Sequence, residues 1–565
     1  MHKSIKLFSL TLLLITQSLI SKGQNLSLVT QGMGPGSELV SVISSDVNGE
    51  IYYGGVFSDT VTIGGILVPP YFDNSPPTFT YAFLAKQSSD GNSNWAMPIG
   101  GPGLLFVEVE ALETDATGNL TCLIRAVILA DTLHVGNIFS IAADGSPSTT
   151  IILKLDPQGN LIWSKILTGV FNGLEMKQDS QNEIYLAGWH AISFAVDNIS
   201  LNLNPGSDGH FIMKFQANGT ALWGKTYSAN SAMGQFTSMA INQNKEIFIS
   251  SVWEGDSLFI QNQTLVNPLP GGGNTDRYIA KFDSLGNVLW LIREGGATAD
   301  PRAYLRPNPQ GGVMAVAGVS ASQTVDINLG TISVQGPVML FSNYNSQGNY
   351  LSHKEISFSG GSPFAYTQNA NEIDIAFNFN SNQLSLANNT FSNAGGTNGT
   401  TDIVVLKLDN AANFISATQI ASTESDFCSA LHLSANQDLL IGANTAASQL
   451  VLGQDTLINA GFLTQELFIA RISNSIGLSS TLELKALSLF PNPSKDIIFI
   501  QLPEMQKGQG QLTLQNMQGQ VLLNKIVTNN TNGIEKLDLS LLRAGMYVIS
   551  LDIANTFYSA QFLKH

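Results

Sequence analysis

The sequence predicts an all-β chain, a seven-bladed β-propeller followed by a small C-terminal β-sandwich, on three observations. A lysine and a tryptophan recur nine residues apart, at Lys86 and Trp95, Lys154 and Trp163, Lys214 and Trp223, and Lys281 and Trp290. Polar turns followed by apolar runs recur in step with those pairs, as in 46–55, 115–124, 179–188, 242–251, 308–318, 369–378 and 434–443. Residues 487–565 then drop the repeat and show short alternating apolar strands of their own.

In chain order, residues 1–23 read as a signal peptide. Lys3 and Lys6 make a basic start, residues 7–20 are mostly apolar but too few for a membrane span, and Ser21 and Gly23 are small residues at the cut. Cleavage is expected between Gly23 and Gln24, with no transmembrane segment in the mature chain. The chain is acidic, with 42 Asp+Glu against 26 Lys+Arg, and shows no basic patch, which argues against nucleic acid and anionic membrane surfaces. Cys122 and Cys428 are the only cysteines and fall at non-equivalent repeat positions, so no disulfide framework is expected.

Residues 24–473 are read as the propeller. Each Lys–Trp phrase is an apolar run, a turn on Gly-Asn or Gly-Thr, and a second apolar run, which is a β-hairpin signal. Degenerate copies continue at Asn343, Lys407 and Arg471, so the seven anchors are 68, 60, 67, 62, 64 and 64 residues apart. A fixed period of this kind signals a repeat architecture. The polar turns add a second test. The first apolar residues after them are Ile51, Leu120, Ile184, Ile247, Val313, Ile373 and Leu439, and the residue eight earlier is always apolar: Ile43, Leu112, Met176, Met239, Leu305, Ala365 and Leu431. Each repeat thus holds four strands: a runs into the polar turn, b leaves it, c carries the lysine and d opens on the tryptophan. Nearly continuous apolar runs in b and c fit sheets covered on both faces, and four-stranded sheets repeated radially make a propeller. The excess length lies between b and c, where segments such as 59–68, 256–266 and 325–334 alternate like extra hairpins. The seventh repeat lacks a Trp strand, while residues 25–30 precede the first complete repeat; pairing the two would close the ring and remove an open edge. An open solenoid of the same repeats is the competing stack.

The Lys-Asp-Gly-Asn-Trp phrase resembles the long-repeat β-propellers of secreted Bacteroidetes proteins, less closely from the fifth repeat on, where Ser352 and Ser416 stand at the Trp position. After a linker at 474–486, residues 487–565 resemble the type A C-terminal sorting domain of the type IX secretion system. Pro491, Asn492, Pro493, Gly519, Leu542, Gly545, Tyr547 and the basic close at Lys564 carry that resemblance; Asn516 stands where the family has Asp. The resemblance implies passage through the periplasm, recognition by the type IX secretion machinery, and a secreted or outer-membrane-surface location.

Chemistry is harder to find. His134, His190, His210, His353 and His432 are isolated, with no metal motif, and no Gly-x-Ser-x-Gly elbow occurs. Asp46, Asp115, Asp156 and Asp283 begin turns and read as caps of their own backbone. Glu108 and Glu110, with Glu175 in the next repeat, are the carboxylates that a glycosidase site near the axis would draw on, although a solvated strand accounts for them equally well. Trp189 and Trp253 stand outside the repeated Trp position; they read first as packing between blades and second as candidate ligand-face aromatics. The expectation is therefore a non-enzymatic binding or adhesion protein without a cofactor, meeting a glycan or protein ligand. An extracellular polysaccharide- or peptide-degrading enzyme with a site spread over several blades is the alternative, and a structural surface component a third reading.

Overall fold

The computed structural model describes residues 25–473 and 485–565, apart from 72–80, 90, 147, 205–206, 230–237, 255, 268–275, 297–302, 320–321, 328–329, 370–371, 397–398, 460–463, 502–508, 517–520, 529–533, 541 and 554–555. Expectations for Gly23, Gln24 and Gly519 therefore lie outside the described residues. Every helix or strand among the described residues is a strand, and the chain divides into two compact units, Met1–Ser475 and Ile476–His565.

In the larger unit each sequence repeat forms one antiparallel sheet in the order a-b-c-d. In repeat 2 these strands are Leu104–Thr114, Leu120–Ile128, Ser148–Leu155 and Leu161–Gly169. The nine-residue spacing is a cross-strand pair: Lys86 lies opposite Trp95, Lys154 opposite Trp163, Lys214 opposite Trp223 and Lys281 opposite Trp290. A bulge follows in every case, because the c–d turn closes with a glycine in the left-handed region, for example Gly219 at φ 82° and Gly286 at φ 76°.

The pair has a reason beyond the hairpin. Each lysine is nearly buried and reaches an acid in the a–b turn of its own repeat: Lys154 to Asp115 at 2.9 Å, Lys214 to Glu183 at 2.9 Å, Lys281 to Glu246 at 2.9 Å and Lys407 to Glu372 at 2.9 Å. Each tryptophan faces the following repeat. The indole N–H of Trp95 donates to the carbonyl of Pro157, Trp163 to Ala217, Trp223 to Ser284 and Trp290 to Ser346. The ring lies over that repeat's turn glycine so closely that a Cβ on Gly219 or Gly286 would stand 2.8 or 2.7 Å from it. Lysine ties strand c to the a–b turn, and tryptophan ties each sheet to the next. Where Ser352 replaces tryptophan, the next turn carries Ala412, at φ 58°, instead of glycine.

The first strands of successive sheets touch in a closed cycle. Glu38–Ser45 contacts Asp426–Leu433 and Leu104–Thr114; Phe171–Gln178 contacts Leu104–Thr114 and Ser238–Ile241; Ser238–Ile241 contacts Tyr304–Pro307; Ser362–Gln368 contacts Asp426–Leu433. The remaining link is the Gln368 side chain, which donates to the Leu305 carbonyl at 2.8 Å. The expected closure forms as well: Asn25–Met33 pairs antiparallel with Glu466–Ser473 and supplies the fourth strand of repeat 7. The b–c insertions are hairpins, but several join the sheet of the preceding repeat. Thr132–Val135 pairs with Ser93–Gly100, Ser257–Ile260 with Ala221–Ala229, and Val61–Ile63 with Asn25–Met33. Cys122 and Cys428 are free thiols buried in the packing between sheets.

One register differs from expectation. In repeat 6 the a–b turn is a residue shorter: Asn369 N–H bonds Glu372 C=O, where elsewhere the partner is four residues on, as in Asp46 to Glu50. Tyr366, not Ala365, therefore lies opposite Ile375, the place that Leu112 opposite Cys122 takes in repeat 2.

The smaller unit has two sheets around one core. Thr556–Lys564, Gly545–Ile553, Gln509–Asn516 and Val521–Thr528 form the larger with Lys485–Ala486; Ser488–Phe490, Ile497–Gln501 and Ile534–Asp538 form the smaller. Ile498, Ile500, Leu512, Ile549, Leu551 and Phe562 are fully buried between them.

Candidate functional site

The centre of the cycle carries one unusual layer. The residue opposite the second position of strand b is Ser44, Glu113, Lys177, Ala240, Arg306, Thr367 and His432 in repeats 1 to 7. The neighbouring register is apolar apart from Tyr366, so this layer gathers ionisable groups from four sheets at one depth. Sequence reading counted back eight from each strand b and saw only the apolar register. Counting back seven shows Glu113, Lys177, Arg306 and His432, and that is the signal it missed.

Lys177 bridges Glu113 at 3.3 Å and Glu175 at 3.2 Å. Burial opposes its charge, but the two carboxylates outweigh burial and raise its pKa. Burial pushes the Glu113 carboxyl up, against the pull of Lys177. His432 Nε2 lies 3.1 Å from the Ser45 N–H, which donates to it, leaving the other ring nitrogen to carry the proton. Burial, and then the charge of Lys177, push His432 down to about 4, so it is neutral at pH 7. Arg306 is coupled electrostatically to Tyr366. The Tyr366 hydroxyl donates to the Gln368 side-chain carbonyl at 2.5 Å, and its ring stacks on Tyr304 at 5.0 Å and 14°. Together these are an acid pair on a lysine, a guanidinium beside a phenol, a neutral imidazole and a partly exposed aromatic platform.

Other sequence candidates sit elsewhere. Glu108 lies opposite Arg125, and Glu110 occupies a bulge between Val109 and Ala111 that turns it onto the same guanidinium. That guanidinium rests 4.6 Å above the Phe106 ring, so the two glutamates form an ion-paired cluster rather than two opposed carboxylates. Trp189 and Trp253 are corrected: Trp253 is 0 % exposed, and Trp189 is buried with its indole N–H donating to Asp208 at 3.0 Å. Both lie in the core between repeats 3 and 4, because strand b ends inside the sheet stack and not on a face. The turn aspartates cap their own backbones; Asp115 Oδ1 accepts from Thr117 and Asn119 N–H at 3.0 and 2.9 Å. His190 and His210 stand on paired strands, buried, with His210 hydrogen-bonded to the Tyr278 hydroxyl at 2.7 Å.

In the smaller unit the predicted motif is assembled at one end of the sheets. Asn492 Oδ1 accepts the Leu563 N–H at 3.0 Å and its amide donates to the Gln561 carbonyl at 2.9 Å. The flanking Phe490–Pro491 and Asn492–Pro493 bonds are cis. Tyr547 donates to the Arg543 carbonyl at 2.8 Å, Gly545 lies opposite Lys564, and Lys564 reaches Asp496 at 3.5 Å. Residues 488–565 match the family described as "Secretion system C-terminal sorting domain". The C-terminal unit is a type IX sorting domain. A sorting domain of this kind marks a protein for export to the cell surface or the extracellular space, through contact with the type IX secretion machinery.

No curated protein matches the chain. Among solved structures it is similar to an ulvan lyase, a polysaccharide lyase of a new family solved bound to a saccharide, at 9% identity and TM-score 0.37, covering 77% of this chain and 97% of that chain. A second structure of an ulvan lyase matches at 10% identity and TM-score 0.36, with the same coverage of each chain. Against the expectation of a non-enzymatic cargo, both of these solved structures are of enzymes. So remote a likeness assigns this chain no reaction. No helix among the described residues is long and apolar enough to cross a membrane.

Proposed function

We propose that residues 24–473 form a seven-bladed β-propeller delivered by its sorting domain, and that this propeller is an extracellular polysaccharide-degrading enzyme with a site spread over several blades. The observation that carries the reading is the central layer, where Glu113, Lys177, Arg306 and His432 come from four repeats to one depth. Proton transfer to and from a sugar needs groups that keep a proton at neutral pH beside groups that hold charge. Glu113, whose carboxyl burial pushes up against the pull of Lys177, is the residue assigned to proton transfer, and Lys177 and Arg306 supply the charge. The stacked Tyr304 and Tyr366 offer the flat apolar face against which a sugar ring packs.

The test is to incubate the purified full chain with a panel of neutral and acidic polysaccharides, with casein as the peptide control. New reducing ends and unsaturated products are then measured. Arg306→Ala and Glu113→Gln are each expected to lower the rate on one polysaccharide by roughly 100-fold or more, the scale of a lost charge-stabilising group for the first and of a lost acid–base group for the second. Intact tryptophan fluorescence would show that the fold survives. A folded chain inert on every polysaccharide, or variants as active as the wild type, would overturn the reading.

A further inference from the structure

The seam that closes the cycle buries two carboxyl groups against each other. Glu38 opens strand a of repeat 1 and Glu466 opens strand c of repeat 7, and both are 0 % exposed. The Glu38 N–H donates to the Gln465 carbonyl at 2.8 Å, so the two strand starts are clamped together by backbone. Neither carboxyl oxygen of Glu38 meets a conventional donor, and the group within hydrogen-bonding reach of them is the Glu466 carboxyl. Two carboxyl groups in that position hydrogen-bond only if one keeps its proton.

The next seam repeats the geometry. The Asp426 N–H donates to the Thr401 carbonyl at 2.6 Å, and Asp402 and Asp426 are both 0 % exposed. That pair has donors of its own: Asp402 accepts from Ala394 N–H at 2.8 Å and from Gln419 at 3.2 Å.

We propose that a single proton shared by Glu38 and Glu466 latches the ring shut, making the junction between the first and last repeats the part of the body that loosens as pH rises.

Burial comes first among the influences on Glu38, followed by Glu466 and then Asp59; all three push it up, to about 8 from an ordinary 4.5. Between those values the folded seam holds a proton that the opened chain has lost. Stability of the seam therefore falls as pH rises from about 4.5 to about 8 and is level above, because the open state binds fewer protons than the closed one. For the Asp402–Asp426 seam, burial dominates and places Asp426 at about 6, so its decline ends earlier.

The experiment is native-state amide hydrogen exchange on the full chain from pH 5 to 8, read as protection factors for Asn25–Met33 and Glu38–Ser45. One proton linked to opening predicts protection falling by up to about tenfold per pH unit. Glu38→Gln keeps the size and supplies an amide donor to Glu466, and its protection should be flat across the window. Glu466→Gln should behave alike and serves if the first variant does not fold. A wild-type profile without slope, a Glu38→Gln profile with the wild-type slope, failure of both variants to fold, or a wild-type slope abolished by a chelator would each overturn the proposal. The last of these would reveal a bound cation instead.

Discussion

If each tryptophan is a strut against the next turn, a methyl group on the glycine beneath it should be felt by that tryptophan and by little else. Gly286→Ala tests this. Its φ of 76° costs an L-residue about 1–2 kcal/mol. Its new Cβ would also stand 2.7 Å from the Trp223 ring, inside any real contact distance, and overpacking of this kind costs about 1–3 kcal/mol. Gly49→Ala is the control, with φ 82° and nothing nearer than 3.5 Å, so it carries the strain without the clash. The expected destabilisation is about 2–5 kcal/mol for Gly286→Ala against about 1–2 kcal/mol for Gly49→Ala. Adding Trp223→Ala isolates the contact: in that background Gly286→Ala should cost no more than the control, a coupling of about 1–3 kcal/mol. The assay is urea unfolding of the full chain followed by tryptophan fluorescence, which reports on the larger unit because all 6 tryptophans lie in it. A coupling below about 0.5 kcal/mol, within the additivity of independent sites, would refute the strut.

Other outcomes follow from the same structure. Asp115 is held down at about 2, with bonds from Lys154, Thr117 and Asn119 overcoming burial; its stabilisation is present above its unfolded value near 3.8 and is lost as pH falls through 2. Asp115→Asn should therefore flatten the acid limb of a stability–pH curve between about pH 4 and 2, by about 2 kcal/mol. Tyr547→Phe removes the bond to the Arg543 carbonyl and should destabilise the sorting domain by about 1 kcal/mol, read from its own unfolding transition. Deleting residues 25–33 bares the edge of Glu466–Ser473, and light scattering should show concentration-dependent association that the intact chain lacks.

The regular part of this fold was legible because its periodicity is local. A nine-residue Lys–Trp spacing is a hairpin pair, and the apolar partners of each polar turn fix the a–b ladder. The insertions were legible as hairpins but not in their destination, since pairing Thr132–Val135 with Ser93–Gly100 depends on which sheet lies alongside. Trp189 and Trp253 stayed open between two readings for a related reason: the end of strand b looks like an exit to a face, and only the neighbouring sheet buries it. The central layer lay open in the sequence one position from the register that was counted. Its meaning still needed the closed cycle, because Glu113, Lys177, Arg306 and His432 are up to 319 residues apart. Ala365 failed for the opposite reason, as a single missing turn residue shifts the register by one.

The closing strand also sets a schedule. Leu28 pairs with Ala470, so a strand made among the first must wait for nearly the last of the body to be synthesised. At roughly 5–20 residues per second, that wait is on the order of 20–90 s for a nascent chain. Throughout it, Asn25–Met33 is an unsatisfied strand seeking an edge, and its wrong partners are the edges of the intermediate repeats, or of another copy still being made. A sequence that places its closing strand first must either be held unfolded by a chaperone until the seventh repeat emerges or tolerate a slow final search. Its folding yield should be governed less by stability than by what holds that first strand in the meantime.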